Sequence, residues 1–212
     1  MHILHTSCSI IGVQAYRLGE ADLPLHRERM GQVVERELRE AINDGLYEFR
    51  LGMNMGADLW AAERVIALRD KLFPEITLHC YLPCETQANH WPEPWREVYF
   101  NCLAQADQVF FLQSRYSKGC MQKRTREMIN GSARLIALHD NVADGLIEGA
   151  VSYAESRGIA CHVVQPLEGP PVQVGKVSSV YIHEADQSVN SSQVVSTYSE
   201  RFSMGKSASK RA

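Results

Sequence analysis

The chain has 212 residues, 45% of them hydrophobic, and a formal net charge of −3 at pH 7. This length predicts one globular domain rather than two separate cores, and the lack of a positive field argues against binding to duplex nucleic acid. Six scattered cysteines without a CxxC pair are typical of reduced thiols. The sequence shows no basic leader and no apolar run of about 18 residues, so we expect a cytoplasmic protein without a membrane segment.

Strand-like and helix-like segments alternate along the first 165 residues. Strands are predicted near 2–11, 47–53, 75–82, 108–113, 134–139 and 159–165, and helices around Met30–Ile42 and Ala61–Leu72 and near 93–106, 119–130 and 144–157. This alternation predicts an α/β fold, a mainly parallel sheet with helices on both faces. Short links favour right-handed crossovers, so we expect the strands that end near Met53, Leu82, Gln113 and His139 to lie side by side.

The composition changes after the pair Pro170-Pro171. Residues 171–212 are rich in serine, poor in large apolar side chains, and end in a basic segment that includes Lys210 and Arg211. Such a segment buries too little surface to offset its chain entropy. The sequence therefore predicts a domain over residues 1–170 and a mostly disordered low-complexity tail over residues 171–212.

The stretch LGMNMGADLW joins a predicted strand to a predicted helix and contains Gly52, Gly56 and Asp58. Ligands of parallel α/β sheets bind outside the carboxyl ends of the strands, so we expect the amides of residues 55–57 to face an anion such as phosphate. The alternative is that both glycines only permit a tight turn while Asp58 stabilises the helix N-terminus. Trp60, on the same helix, stacks on a base or covers the core.

Three motifs in a fixed order carry a family resemblance. They are GADLWAAE at 56–63, YLPCETQANHWPEPWREVYFNCLAQAD at 81–107 and RYSKGCMQKRTREMINGSARLIAL at 115–138. Together they resemble the YpsA-like branch of the SLOG superfamily, which is related to the DprA and LOG groups. The resemblance covers about residues 1–166 and implies a Rossmann-like fold with a groove for nucleotides or nucleotide derivatives. Most members of this branch have no assigned activity.

The resemblance also implies a set of ligand-binding residues. The motif positions in this chain are Gly56, Asp58, Trp60, Glu63, Glu85, Gln87, Trp91, Tyr99, Tyr116, Cys120, Gln122, Lys123 and Arg124, and we add Gly12, Arg17 and Gly52. Gln122, Lys123 and Arg124 open a helix after a strand, so their side chains are expected at the same sheet edge. An exposed basic helix face is the alternative for these three residues.

The chain departs from the family pattern at its phosphate-binding motifs. A Gly-His-Arg-Pro turn is replaced by Gly12-Val13-Gln14-Ala15, which leaves Arg17 as the candidate substitute cation. Gly131-Ser132-Ala133 replaces Asn-Ser-Asp, and Asp144-Gly145-Leu146 replaces a Gly-Gly-Thr loop. These changes predict weaker binding of polyphosphates, because backbone approach and charge-assisted hydrogen bonds are both reduced.

Metal and nucleophile chemistry are less favoured by the sequence. His79 and Cys80 are adjacent on a predicted strand and point to opposite faces, so we expect no metal site from them with Cys84 and His90. Cys120 lies at a helix start near lysines, where a thiolate is stabilised. No histidine and acid partner can be assigned to it, and a buried or ligand-lining cysteine is the preferred interpretation.

The function favoured by these patterns is a sensor or regulatory protein that binds a nucleotide derivative. One alternative is a LOG-like phosphoribohydrolase that cleaves an N-glycosidic bond with Glu63 or Glu85 as the acid, although its PGGxGTxxE loop is absent. The other alternative is a degenerate protein-interaction module. No cofactor is assigned beyond the nucleotide-derived ligand, and a protein partner, a homo-oligomer and any catalysis are left open.

Overall fold

The structure is a computed structural model that describes residues 6–19, 23–140, 142 and 145–165. The predicted tail over residues 171–212 and the domain boundary at residue 170 lie outside the described residues. Both therefore stay predictions. No helix among the described residues is long and apolar enough to cross a bilayer.

Strands and helices alternate as expected from the hydrophobic pattern. The strands are β1 (Ser7–Gly12), β2 (Glu48–Leu51), β3 (Thr77–Leu82), β4 (Gln108–Phe111), β5 (Arg134–Leu138) and β6 (Ala160–Val164). The helices are α1 (Leu23–Asn43), α2 (Ala57–Lys71), α3 (Glu93–Gln105), α4 (Cys120–Ile129) and α5 (Gly145–Ser156), and a short 3-10 turn spans Ala15–Arg17. The predicted bounds lie close to the observed ones, except that α1 begins at Leu23, well before the predicted Met30.

The six strands form one parallel sheet in the order β4-β3-β2-β1-β5-β6. The prediction of a mainly parallel α/β sheet is confirmed. The predicted neighbourhood of strands is correct for β2, β3 and β4 but wrong for β5, which pairs with β1. One side of β1 is taken by β2, and the chain returns from the edge strand β4 to fill the other side.

The helices divide between the two faces of the sheet according to this order. Helix α1 packs on α2, and α2 packs on α3, whereas α4 packs on α5 and on β2 and β3. The first four strands therefore extend the sheet to one side of β1, and β5 and β6 extend it to the other side. In open α/β sheets such a reversal places the ligand site at the carboxyl ends of the central strands.

The core lies along the central strands. Every residue of β1 is buried, and Phe49, Leu51, Leu78 and Leu82 are at most 1% exposed. The edge strand β4 has an exposed or half-buried residue at every position, because it has a neighbour on one side only. The polar residues at the carboxyl ends of the central strands are consequently anchored on rigid, closely packed elements.

Candidate functional site

The loop after β2 has an unusual backbone conformation. Met53 has a φ of 57°, in the left-handed region that residues other than glycine rarely adopt, and Gly56 has a φ of 110°. Met53 is fully buried, and its carbonyl accepts a hydrogen bond of 2.9 Å from the Gln87 side chain. The surrounding contacts thus hold this loop in a conformation that is costly in isolation.

Gly56 permits a close approach by the chain itself. A Cβ at this position would lie 2.6 Å from the Ala15 nitrogen and 2.7 Å from the Val13 carbonyl oxygen. The Ala15 amide donates to Met55 at 2.9 Å, and the Ala57 amide donates to Val13 at 3.1 Å. Among the three amides expected to face an anion, the Ala57 amide is therefore already engaged, because the loop after β1 covers the start of α2.

Asp58 joins the carboxyl ends of β1 and β2. Its side chain is buried and accepts hydrogen bonds from the Gly12 amide at 2.9 Å and the Asn54 amide at 3.1 Å. Burial raises the pKa of Asp58 to about 6, while the charge of Arg124 and the hydrogen bonds from Asn54 and Gly12 oppose that rise. This carboxylate is consequently occupied within the protein, and its role is to position the two loops.

Arg124 reaches the same place from α4. It is 1% exposed, and its Nη1 donates to the Gly52 carbonyl. Its guanidinium fills the space that a side chain at Gly52 would need. Burial lowers the pKa of Arg124, and the negative charge of Asp58 is the largest effect that opposes this shift. A residue without a side chain is therefore needed at position 52 to leave room for Arg124.

Gln87 completes the polar group around the end of β2. Its Nε2 donates to the carbonyls of Met53 at 2.9 Å and Gly52 at 3.4 Å, so Gln87 and Arg124 converge on one peptide. We call Gly52, Asp58, Gln87 and Arg124 the edge cluster. Within it, the buried Gln87 Oε1 and Arg124 Nε have no hydrogen-bond partner among the described residues. Buried polar atoms are normally paired, so these two atoms are exceptions within the cluster.

Aromatic side chains from the predicted set pack against α3. Trp60 is 4% exposed, and its ring centroid lies 5.7 Å from that of Trp95. Trp91 meets Tyr99 edge to face at 5.2 Å, and Tyr99 is close enough to Arg124 to influence its pKa. Of the two interpretations of Trp60, the packing one matches its burial. Tyr99, which Trp91 contacts, therefore lies near Arg124 of the edge cluster.

The other predicted residues are distributed around the molecule. Glu63 accepts two hydrogen bonds from Arg27, at 2.6 and 2.8 Å, on the α1–α2 side. Cys120 is buried at the first position of α4, whereas Glu85 and Tyr116 are exposed. The structure therefore does not bring Glu63 into the edge cluster.

Gly12 and Arg17 lie near the reversal point between β1 and β5. Gly12 ends β1, and a side chain there would collide with Ala57. Arg17 donates to Asp140 at 3.0 Å and to the Val142 carbonyl at 2.8 Å. The candidate substitute cation thus links the segment after β1 to the segment after β5. Asp140 was missed by the sequence analysis, because this pairing spans 123 positions.

Gln122 and Lys123 are exposed on the outer side of α4. Gln122, Arg126 and Tyr153 line two adjoining cavities, of about 230 and 560 Å³, between α4 and α5. Lys123 lines the larger one. We call this feature the α4–α5 groove. Arg126 and Tyr153 were not among the predicted residues, although both lie on predicted helices.

One group among the described residues has ligand types for a metal ion. Glu37, Glu40 and His162 each place one ligand atom within 4.8 Å of the others. They belong to α1 and β6, which contribute nothing to the edge cluster, and Glu37 already accepts hydrogen bonds from Arg36. His79 and Cys80 differ in burial along β3, the former half-buried and the latter fully buried, as alternation along a strand predicts.

Sequence comparisons relate this chain to a known family. A family model described as the YspA SLOG family matches residues 11–167. A UPF0398 protein from Bacillus velezensis is 32% identical over 128 residues, which cover 59% of this chain and 70% of the relative. A UPF0398 protein from Bacillus pumilus is 30% identical over 153 residues, covering 69% and 82%.

A solved structure is also similar. It belongs to DNA processing protein A from Helicobacter pylori, whose report concerns a single-stranded DNA binding mode. The sequence identity is 17% and the TM-score 0.49, and the similarity covers 74% of this chain and 64% of that chain.

Proposed function

This chain belongs to the YspA SLOG family, and we propose that it is a regulatory or sensor protein that binds a nucleotide derivative at the edge cluster. The observation that carries the proposal is the pair of unpartnered buried atoms, Gln87 Oε1 and Arg124 Nε, on side chains that both contact the Gly52 carbonyl. One atom accepts a hydrogen bond and the other donates one. A ribose hydroxyl, which both donates and accepts, has the chemistry that these two atoms lack in a partner.

The position of the cluster supports a ligand of this class. It lies at the carboxyl end of β2, next to the central strand of a parallel sheet, where doubly wound folds bind nucleotides. Trp91, packed on Tyr99 beside the cluster, supplies an aromatic surface for a base. The edge cluster therefore offers polar recognition and stacking in the same neighbourhood.

The hydrogen-bond partners of the carboxylates favour a binding role over catalysis. Asp58 is occupied by two backbone amides, and Glu63 by Arg27. A general acid needs hydrogen-bond reach to the leaving group. Of the two acids considered for the hydrolase alternative, Glu85 alone has no recorded hydrogen bond within the described chain, and it is exposed. Among the described residues, no hydrogen bond of either acid supports the hydrolase.

The proposal is tested by thermal-shift measurements with AMP, ADP-ribose, NAD and ATP. At a hundredfold excess over its dissociation constant, a ligand of the folded state stabilises it by about 2.7 kcal/mol. Gln87→Leu should abolish most of the shift, whereas Gln105→Leu, an exposed site at the end of α3, should preserve it. The proposal fails if no compound shifts the wild-type protein, or if Gln87→Leu responds like the control.

A further inference from the structure

Strand β4 forms one edge of the sheet. Within the described part of the chain, it pairs only with β3. The Leu112 amide donates to the Leu82 carbonyl of β3 at 3.0 Å, so the pairing continues one residue beyond the end of β4. Backbone groups of alternate residues in a strand point to opposite sides, and the amide of Val109 is therefore directed away from β3. The outer side of β4 can thus accept a further strand.

This edge lacks the side chains that usually keep an exposed strand from pairing. The stretch QVFFLQS over residues 108–114 contains no charged residue and no proline. Edge strands of natural sheets are normally protected by charged side chains, by proline or by a bulge. At the opposite edge, His162 of β6 lies 3.4 Å from the carboxylate of Glu37, so titratable side chains are present there. The uncharged edge at β4 therefore favours pairing with another uncharged strand.

Phe110 brings an aromatic surface to this edge. It is 39% exposed, and its ring centroid lies 4.8 Å from that of Tyr81 and 6.0 Å from that of His79. Arg50 lies over the Tyr81 ring, 5.9 Å from its centroid. We call His79, Tyr81 and Phe110 the aromatic stripe. The stripe runs from β3 to the open edge, where the exposed part of Phe110 can contact a further aromatic ring.

The paired part of β4 has Phe110 at its centre. It extends from Gln108 to Leu112, when the last hydrogen bond to β3 is included. If two identical strands pair in antiparallel order about this centre, Phe110 lies opposite Phe110 of the second copy. Because the amide of Val109 points outward, Phe110 occupies the position without interstrand hydrogen bonds, where opposite side chains are closest. Cross-strand aromatic pairs of this kind stabilise a sheet.

The charges on either side of β4 are complementary in the same arrangement. Asp107 precedes the strand, and 36% of its side chain is exposed beside its contact with Arg69. Arg115 follows the uncharged stretch and is exposed. Antiparallel pairing directs the end that carries Asp107 towards the end of the second copy that carries Arg115. Opposite charges therefore approach at both ends, whereas parallel pairing would bring like charges together.

We propose that β4 is a dimerisation edge, where a second copy of this chain pairs its own β4 in antiparallel order about a two-fold axis. The two six-stranded sheets then form one continuous sheet with the two Phe110 rings at its centre. A contact between identical surfaces closes after two copies, so it covers the open edge without forming a fibre. The edge cluster lies at the carboxyl end of β2, two strands away, and the proposal is independent of ligand binding there.

Sedimentation equilibrium of the full chain over a wide range of protein concentration tests the dimer. The wild-type protein should dimerise, and Phe110→Lys should raise the dissociation constant at least about tenfold, because two like charges then face each other. Tyr47→Lys is the matched control, since Tyr47 is a 40% exposed aromatic residue directly before β2, and this variant should dimerise like the wild type. A monomeric wild-type protein, or equal dissociation of both variants, would overturn the proposal.

A pair of opposite charges tests the two-fold arrangement separately from folding. Phe110→Glu by itself should also dissociate. A mixture of Phe110→Lys and Phe110→Glu should form a heterodimer, because opposite charges then meet across the axis. Recovery in the mixture shows that both variants are folded. A mixture that stays monomeric would show that Phe110 does not face its own counterpart, and would refute this pairing.

Amide hydrogen exchange distinguishes a second copy from another occupant of the edge. The outward-directed amide of Val109 should be protected in the wild-type dimer, and this protection should be lost on dilution and in Phe110→Lys. Protection that persists in a monomeric wild-type protein would show that another segment of the same chain covers β4. Rapid exchange of Val109 in a stable dimer would place the dimer contact on another surface. Either result contradicts the proposal.

Discussion

Asp58 and Arg124 are buried together at the carboxyl end of β2, each 1% exposed, although they come from helices that pack on different neighbours. Asp58 ties the loops after β1 and β2 together, and Arg124 ties α4 to the Gly52 carbonyl. Each charge lowers the cost of burying the other.

Replacing the arginine should be strongly destabilising. Arg124→Ala leaves the Asp58 carboxylate buried without its countercharge, and the Gly52 carbonyl loses a donor. We expect a loss of roughly 3 to 5 kcal/mol in the free energy of unfolding. Lys123→Ala, at the adjacent exposed position, should change it by less than about 0.5 kcal/mol. Urea unfolding compares the two variants, and equal small effects would contradict the buried pair.

Asp58 should also give the stability a pH dependence of defined sign. Its folded pKa of about 6 lies above the ordinary value of 3.8, so the folded state binds the proton more tightly. The resulting stabilisation is present at low pH and is lost as pH rises through about 6.

The comparison with Asp58→Asn isolates this effect. The stability of the wild-type protein relative to the variant should fall by up to roughly 3 kcal/mol between pH 4 and 7, at 1.36 kcal/mol per pKa unit. Urea unfolding at several pH values measures it. A difference that is constant with pH, or that rises with pH, would contradict the raised pKa.

Two glycine substitutions should have opposite effects. Gly56→Ala forces a side chain into a positive φ and against the Val13–Ala15 backbone, and should cost at least about 2 kcal/mol. Gly149→Ala lies in open space on α5 and should stabilise the protein by about 0.5 to 1 kcal/mol through helix propensity. Thermal unfolding distinguishes them. A tolerated Gly56→Ala would mean that the loop contact is dispensable.

Trp60 should act through packing rather than through ligand stacking. Trp60→Phe keeps most of the contact with Trp95, so we expect modest destabilisation and unchanged ligand affinity. Trp91→Ala, which removes the ring that contacts Tyr99, should weaken binding of any nucleotide found by thermal shift. Isothermal titration of both variants decides between the two tryptophans, and a selective loss of affinity in Trp60→Phe would reverse the assignment.

Arg17 should hold the segment after β5 in place. Its bonds to Asp140 and the Val142 carbonyl connect two loops at the reversal point of the sheet. Arg17→Ala should therefore increase amide hydrogen exchange selectively around residue 140, because local opening then costs less free energy. Exchange in the central strand β1 should stay slow and serves as the internal reference. Unchanged exchange around residue 140 would show that the ion pair does not constrain this segment.

The sequence by itself determined the α/β class, the approximate bounds of the strands and helices, and the family, because hydrophobic periodicity and turn residues act over a few neighbouring positions. It also identified Gly52, Asp58, Gln87 and Arg124, although it did not predict how they contact one another. The tail, the cytoplasmic location, a protein partner and a homo-oligomer stay predictions.

Only the tertiary structure decided what each of these residues touches. The approach that Gly56 permits comes from the chain's own loop at Val13, and the space beside Gly52 belongs to Arg124, 72 positions away. The pairing of β5 with β1 could not be predicted from local sequence patterns either. Such contacts depend on how helices and strands that are distant in sequence pack together. Local sequence patterns carry no information about which distant segment fills a given position.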